Sequence, residues 1–136
     1  MEPVTSHESR VADSAESPHK GKTGLKRVWN AFLYSLDGLT AAFRHEDAFR
    51  QEVFLAAILV PAVFFTPASG IGKALMVASV LLVLIVELLN SAVEAAVDRI
   101  SLENHRLAKR AKDIGSAAVF ISLVNVPAVW LLVLFG

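Results

Sequence analysis

At 136 residues the chain is one domain at most, and its 13 basic and 13 acidic side chains cancel to a formal charge of zero, so the chain as a whole has no electrostatic pull on nucleic acid. Cysteine is absent, which excludes disulfides, thiolate metal centres and cysteine nucleophiles. Hydrophobic residues make up 54% of the sequence, above the roughly 45–50% of soluble domains, and almost all of them follow Leu25.

Residues 1–23, rich in Ser, Glu, His, Pro and Lys, show no hydrophobic periodicity and read as a disordered polar tail. They carry no apolar centre beside a small-residue cleavage site, so they are not a secretory signal. From about residue 24 to 44 the pattern is helical. Leu25, Val28, Trp29, Phe32, Leu36, Leu39 and Phe43 share one side, with Lys26, Arg27, Asn30 and Asp37 elsewhere. Such a helix lies in a membrane interface with its aromatic side dipped inward.

Three stretches further on are apolar all round. Val53–Gly72 is 20 residues without a charge, Ala74–Val97 is 24 residues charged only at Glu87 and Glu94, and Ile114–Gly136 is 23 residues without a charge. A helix rising about 1.5 Å per residue needs about 20 residues to cross a bilayer core of about 30 Å. The expected fold is therefore an all-α membrane protein: a surface helix followed by three transmembrane helices over about 50–70, 74–98 and 112–135. Pro61 and Pro127 are expected to bend the first and third spans. Lys20, Lys22, Lys26 and Arg27 precede the spans, and Arg99, Arg106, Lys109, Arg110 and Lys112 lie between the second and third, whereas the other connection offers only Lys73. This asymmetry puts the amino terminus and the second loop in the cytoplasm and the carboxyl terminus on the outer side.

Within the second span, Glu87, Asn90, Glu94 and Asp98 fall within about 80° of one another on a helix turning about 100° per residue. A charge at mid-bilayer costs on the order of 2.5–3.5 kcal/mol. A polar seam that glues helices together accounts for Asn90 and Ser91. Three carboxylates in one stripe call instead for protein, water or cations, and oxygen donors without nitrogen or sulfur suit a hard cation such as Mg²⁺. A second polar cluster precedes the first span: Arg44, His45, Glu46, Asp47, Arg50, Gln51 and Glu52. The loop after the second span adds Glu103, Asn104, His105, Lys109, Lys112 and Asp113. For Asp47, Arg106 and Lys109 a solvated loop charge is a sufficient account. Gly70, Gly72 and Lys73 do not complete a phosphate-binding P-loop, and no soluble-kinase triplet occurs.

The run Glu87-Leu-Leu-Asn-Ser-Ala-Val-Glu-Ala-Ala-Val-Asp98, with Tyr34-Ser-Leu-Asp-Gly38, Ala48-Phe-Arg-Gln-Glu52 and Arg110-Ala-Lys-Asp-Ile-Gly-Ser-Ala-Ala118, resembles the bacterial integral-membrane diacylglycerol kinases. The resemblance covers the chain from about Gly24 onward. It implies a homotrimer of three-span protomers in the bacterial inner membrane, amino terminus cytoplasmic and carboxyl terminus periplasmic, with active sites formed between protomers. It also implies Mg²⁺-dependent transfer of a phosphoryl group from ATP to diacylglycerol, making phosphatidic acid. By the same resemblance Glu87 is the general base, and Glu46 and Glu94 hold the divalent cations. Lys112, Asp113, Glu103, Asn104, His105, Arg27 and Tyr34 contact the nucleotide. Asn90 orients Glu87, and Ser35, Gln51 and Ser116 contact the lipid or support those that do.

Two other functions fit parts of the pattern. Undecaprenol in place of diacylglycerol keeps the fold and changes the acceptor. A small cation or proton channel subunit explains Glu87 and Glu94 as pore-lining groups, but not the gathering of Glu46, Lys112 and Asp113 toward one end.

Overall fold

The computed structural model describes residues 20–100 and 105–136. All its elements are helices: α1 (Lys20–His45), α2 (Asp47–Val63), α3 (Gly70–Ile100) and α4 (His105–Phe135). The expected contacts Glu103 and Asn104 lie outside the described residues, as does most of the expected tail; α1 begins at Lys20 rather than near residue 24. The chain divides into two units, Met1–Gly38 and Leu39–Gly136. In the first, α1 exposes Leu25, Val28, Trp29 and Phe32, with Trp29 and Phe32 tilted against each other at 5.8 Å between ring centres.

In the second unit α3 packs against both α2 and α4. Gly72 lies beside Val133 and Trp130 beside Met76, while Asn90 meets Gly115 and Asp98 meets Lys112. One helix therefore rises as the other falls, the antiparallel arrangement that a short connection dictates. The buried core is small: Phe49, Ala56, Val63, Met76, Val80 and Val83. Many of the other large apolar residues face outward. The most apolar stretch of α4 is only 6% buried and that of α3 33%. Both helices are long and apolar enough to cross a membrane, and a cylinder apolar all round needs lipid or further protein against it. The end of the α3–α4 pair near Gly72 is tied by Trp130, whose Nε1 donates to the Met76 carbonyl (3.3 Å) and to Ser79 Oγ (3.2 Å).

The uncharged run 53–72 is not one helix. Pro61 lies inside α2, which stops at Val63 after 17 residues, about 25 Å of rise. The chain tightens into bonds from the Phe64, Phe65 and Thr66 N–H groups to the Pro61, Ala62 and Val63 carbonyls (each 3.1 Å), and Thr66 Oγ1 adds a bond to Val63 O at 2.6 Å. Such three-residue closures satisfy a helix end. Pro67 bars an immediate restart. Ser69 Oγ then accepts the Gly72 N–H at 3.1 Å, an amino-terminal cap that starts α3.

Gly72 is where α3 meets Val133 of α4. A Cβ there would sit 2.7 Å from Val133 Cγ1 and 3.3 Å from Ala68 Cβ. Valine is stiff at χ1, so relief requires the helix to move. Gly72→Ala is expected to cost about 1–3 kcal/mol, the usual cost of overpacking, read as a lower unfolding midpoint in detergent micelles. Val133→Ala in the same chain should recover most of it, and an unchanged midpoint in the single variant would contradict this packing.

Candidate active site

Helical spacing brings three faces together. Ala48, Gln51, Glu52 and Leu55 repeat along α2, Glu87 and Asn90 stand one turn apart on α3, and Ser116, Val119 and Leu123 repeat along α4. These nine residues line a cleft of about 480 Å³. Four of the expected site residues, Gln51, Glu87, Asn90 and Ser116, are thus lining residues of one cavity. Glu87 is only 6% exposed and Asn90 9%. A second cavity of about 180 Å³ shares Glu52, Leu55 and Leu123 with the first and is otherwise apolar, walled by Leu59, Val80, Val83 and Pro127 among others. A polar cleft thereby adjoins a greasy slot, a shape suited to a molecule with a polar head and an apolar tail.

Glu52, expected only as one charge of the polar cluster before the first span, has a more specific place. It sits between Glu87 and the apolar slot, interacts electrostatically with Glu87, and its Oε2 is buried without a hydrogen-bond partner. In the sequence it looks like the last charge before an apolar run. The signal available was its spacing from Ala48 and Leu55, which puts it on the face of α2 turned to the cleft.

Glu46 is the single residue between α1 and α2. Its backbone is extended (φ −113°, ψ 106°) and its side chain makes no capping hydrogen bond, so the carboxylate is not spent on the helix it precedes. Arg50 fixes this junction from below. It donates to the Phe43 carbonyl at 3.2 Å and the Arg44 carbonyl at 3.0 Å at the end of α1, and pairs with Asp47. Asp47, expected as a solvated charge, is largely exposed while it pairs with Arg50. Glu46 and Glu94 both lie within electrostatic reach of Glu87. Glu94 Oε1 accepts a hydrogen bond from Asn90 Nδ2 at 3.3 Å, which links two members of the stripe.

The other expected contacts are placed as follows. Lys112 pairs with Asp98 across α3 and α4 at 2.5 Å, and Asp113 pairs with Lys109 along α4 at 2.7 Å. The Asp113 hydrogen bond, and then its charge, hold the Lys109 ammonium above its ordinary pKa, so this lysine stays charged at neutral pH. His105 opens α4 and is exposed. Arg27 and Tyr34 are exposed on α1 in the Met1–Gly38 unit, where Ser35 Oγ donates to the Ala31 carbonyl at 2.9 Å.

No three His, Asp or Glu side chains among the described residues converge into a metal cage. That suits a cation needing only one or two protein carboxylates and completing its shell with water and phosphate. Glu46 and Glu94 supply the right donor atoms.

A helical bundle with two helices long and apolar enough to cross a membrane, and a carboxylate-lined cleft open to an apolar slot, defines the class: a helical membrane protein. The profile of the prokaryotic diacylglycerol kinase family matches residues 33–134. Curated relatives named diacylglycerol kinase include one from Pseudomonas aeruginosa, 57% identical over 88% of this chain and 98% of its own length. Another from Escherichia coli K12 is 45% identical over 84% and 93%, and one from Helicobacter pylori 41% identical over 85% and 89%. The chain belongs to the prokaryotic diacylglycerol kinase family.

Proposed function

We propose that the protein transfers the γ-phosphoryl group of ATP to the free hydroxyl of diacylglycerol at the cytoplasmic face of a bacterial inner membrane, yielding phosphatidic acid and ADP. The observation that carries this reading is the cleft itself, in which Gln51, Glu52, Glu87, Asn90 and Ser116 meet beside an apolar slot. The family membership and the relatives' shared name support the same acceptor.

Phosphoryl transfer asks a protein mainly for positioning and for charge neutralisation. Glu87 takes the proton of the acceptor hydroxyl as its oxygen bonds to the γ-phosphorus, and the bond from that phosphorus to the bridging oxygen of ADP breaks. Asn90 donates to Glu94 and holds that carboxylate in place along α3. Gln51, Ser116 and Glu52 hold the glycerol end of the lipid, and the apolar slot takes the start of an acyl chain. Lys112 and Asp113, with Glu103, Asn104, His105, Arg27 and Tyr34, bind and orient the nucleotide. Glu46 and Glu94 hold Mg²⁺, which when bound neutralises charge on the phosphates. We infer a homotrimer of three-span protomers, α2 being the first span, with the amino terminus cytoplasmic and the carboxyl terminus periplasmic.

Purified protein given Mg²⁺, ATP and either diacylglycerol or undecaprenol tests the assignment. Phosphatidic acid from the first, with little product from the second, is the expected result. Product from undecaprenol alone changes the acceptor, and ion flux in vesicles without either product removes the kinase. The placement of Glu52 has its own test. Losing a hydrogen bond to a charged group is worth about 1.5–3 kcal/mol, so Glu52→Ala should raise the KM for diacylglycerol at least about tenfold and leave the KM for ATP near its starting value. An equal rise in both would take Glu52 away from the acceptor.

A further inference from the structure

We infer that Gly115 is a positioning residue, whose missing side chain lets Asn90 hold Glu94 in place. Gly115 lies on α4 where that helix faces Asn90 on α3. A Cβ built on it would overlap Asn90 Oδ1 and come within 3.1 Å of Asn90 Cγ. Asn90 is buried, and its Oδ1 has no hydrogen-bond partner, while its Nδ2 donates to Glu94 Oε1 at 3.3 Å. The amide cannot be turned over at no cost, because a flip would set Oδ1 against a carboxylate, two acceptors facing each other. The side chain is therefore held by two constraints: an open glycine surface on which Oδ1 rests, and a carboxylate toward which Nδ2 points. The backbone of Gly115 is ordinary helix with no positive φ, so conformational freedom does not explain glycine here, and in a helix glycine is less favourable than alanine. What glycine provides is room.

A methyl group at position 115 leaves α4 largely where it is and displaces the far end of Asn90, since an asparagine tip swings more readily than a packed helix moves. The bond to Glu94 is then lost. This inference rests on reading Glu94 as a cation-holding carboxylate. A residue that orients a metal-binding group typically changes affinity or activity about 10–100-fold when removed. Gly115→Ala should weaken Mn²⁺ binding by that factor, measured by electron paramagnetic resonance titration in detergent with a non-hydrolysable ATP analogue. The Mg²⁺ concentration for half-maximal turnover should rise in parallel.

Asn90→Ala gives the control, because it removes the group through which Gly115 is argued to act. If Gly115 serves only Asn90, adding Gly115→Ala to Asn90→Ala changes neither Mn²⁺ affinity nor turnover by more than about twofold, the behaviour of residues acting as one unit. Should Gly115→Ala alone fold poorly, this comparison still decides, since alanine at position 90 leaves space for the added methyl. Normal Mn²⁺ binding in a folded Gly115→Ala protein overturns the proposal, and so does a further large loss in the double variant. If instead Glu94→Gln leaves Mn²⁺ binding intact, it is the assignment of Glu94 that fails.

Discussion

Replacing Glu87 with Gln is expected to cut kcat by about 10²–10⁴-fold, the usual worth of a positioned general base, while nucleotide affinity and the unfolding midpoint stay close to those of the parent protein. The substitution keeps size and shape and removes only the ability to take a proton. Glu87 is 6% exposed and lines the cleft together with Glu52 and Asn90. Saturating the assay with Mg²⁺ should not restore the rate, because the missing step is proton removal rather than phosphate binding. Turnover within a few-fold of the parent would end the case for Glu87 as base and shift attention to Glu52, the other carboxylate in the same cleft. Fitting fluorescent-analogue binding and steady-state kinetics on one preparation keeps the chemical step separate from any loss of assembly.

The stripe of α3 was legible in the sequence because helical spacing alone sets it: Glu87, Asn90 and Glu94 recur at intervals that no loop can disturb. What spacing cannot supply is the partner across the gap. Asp98 continues the stripe by periodicity, yet in the structure it turns to Lys112 on α4, a pairing fixed by how the two helices stagger. Glu52 was hidden for the same reason, since its significance depends on α3 lying opposite. The end of α2 failed differently. Hydropathy sees Val53–Gly72 as one uninterrupted apolar run, but the helix ends at Val63, and the local turn chemistry of Thr66, Pro67 and Ser69 carries no charge to mark it. Gly115 was invisible as well. Its importance is the space above it, which belongs to Asn90 and not to any pattern in its own neighbourhood.

Glu94→Gln separates two duties of one side chain. The amide oxygen of glutamine still accepts the hydrogen bond that Asn90 Nδ2 gives to Glu94 Oε1, so Asn90 should keep its orientation while the negative charge disappears. A contact to a charged group is worth about 1.5–3 kcal/mol, or roughly 10–150-fold in an equilibrium constant. The apparent affinity for Mg²⁺ is expected to fall by that order, with kcat at saturating Mg²⁺ falling much less than in Glu87→Gln. The two variants thus predict opposite responses to added metal: recovery for Glu94→Gln and none for Glu87→Gln. Glu46→Gln should resemble Glu94→Gln, since its carboxylate caps no helix and lies within electrostatic reach of the same base. A Mg²⁺ titration of Glu94→Gln that superimposes on the parent curve would show that the carboxylate serves Asn90 alone, leaving Glu46 as the protein's remaining claim on the cation.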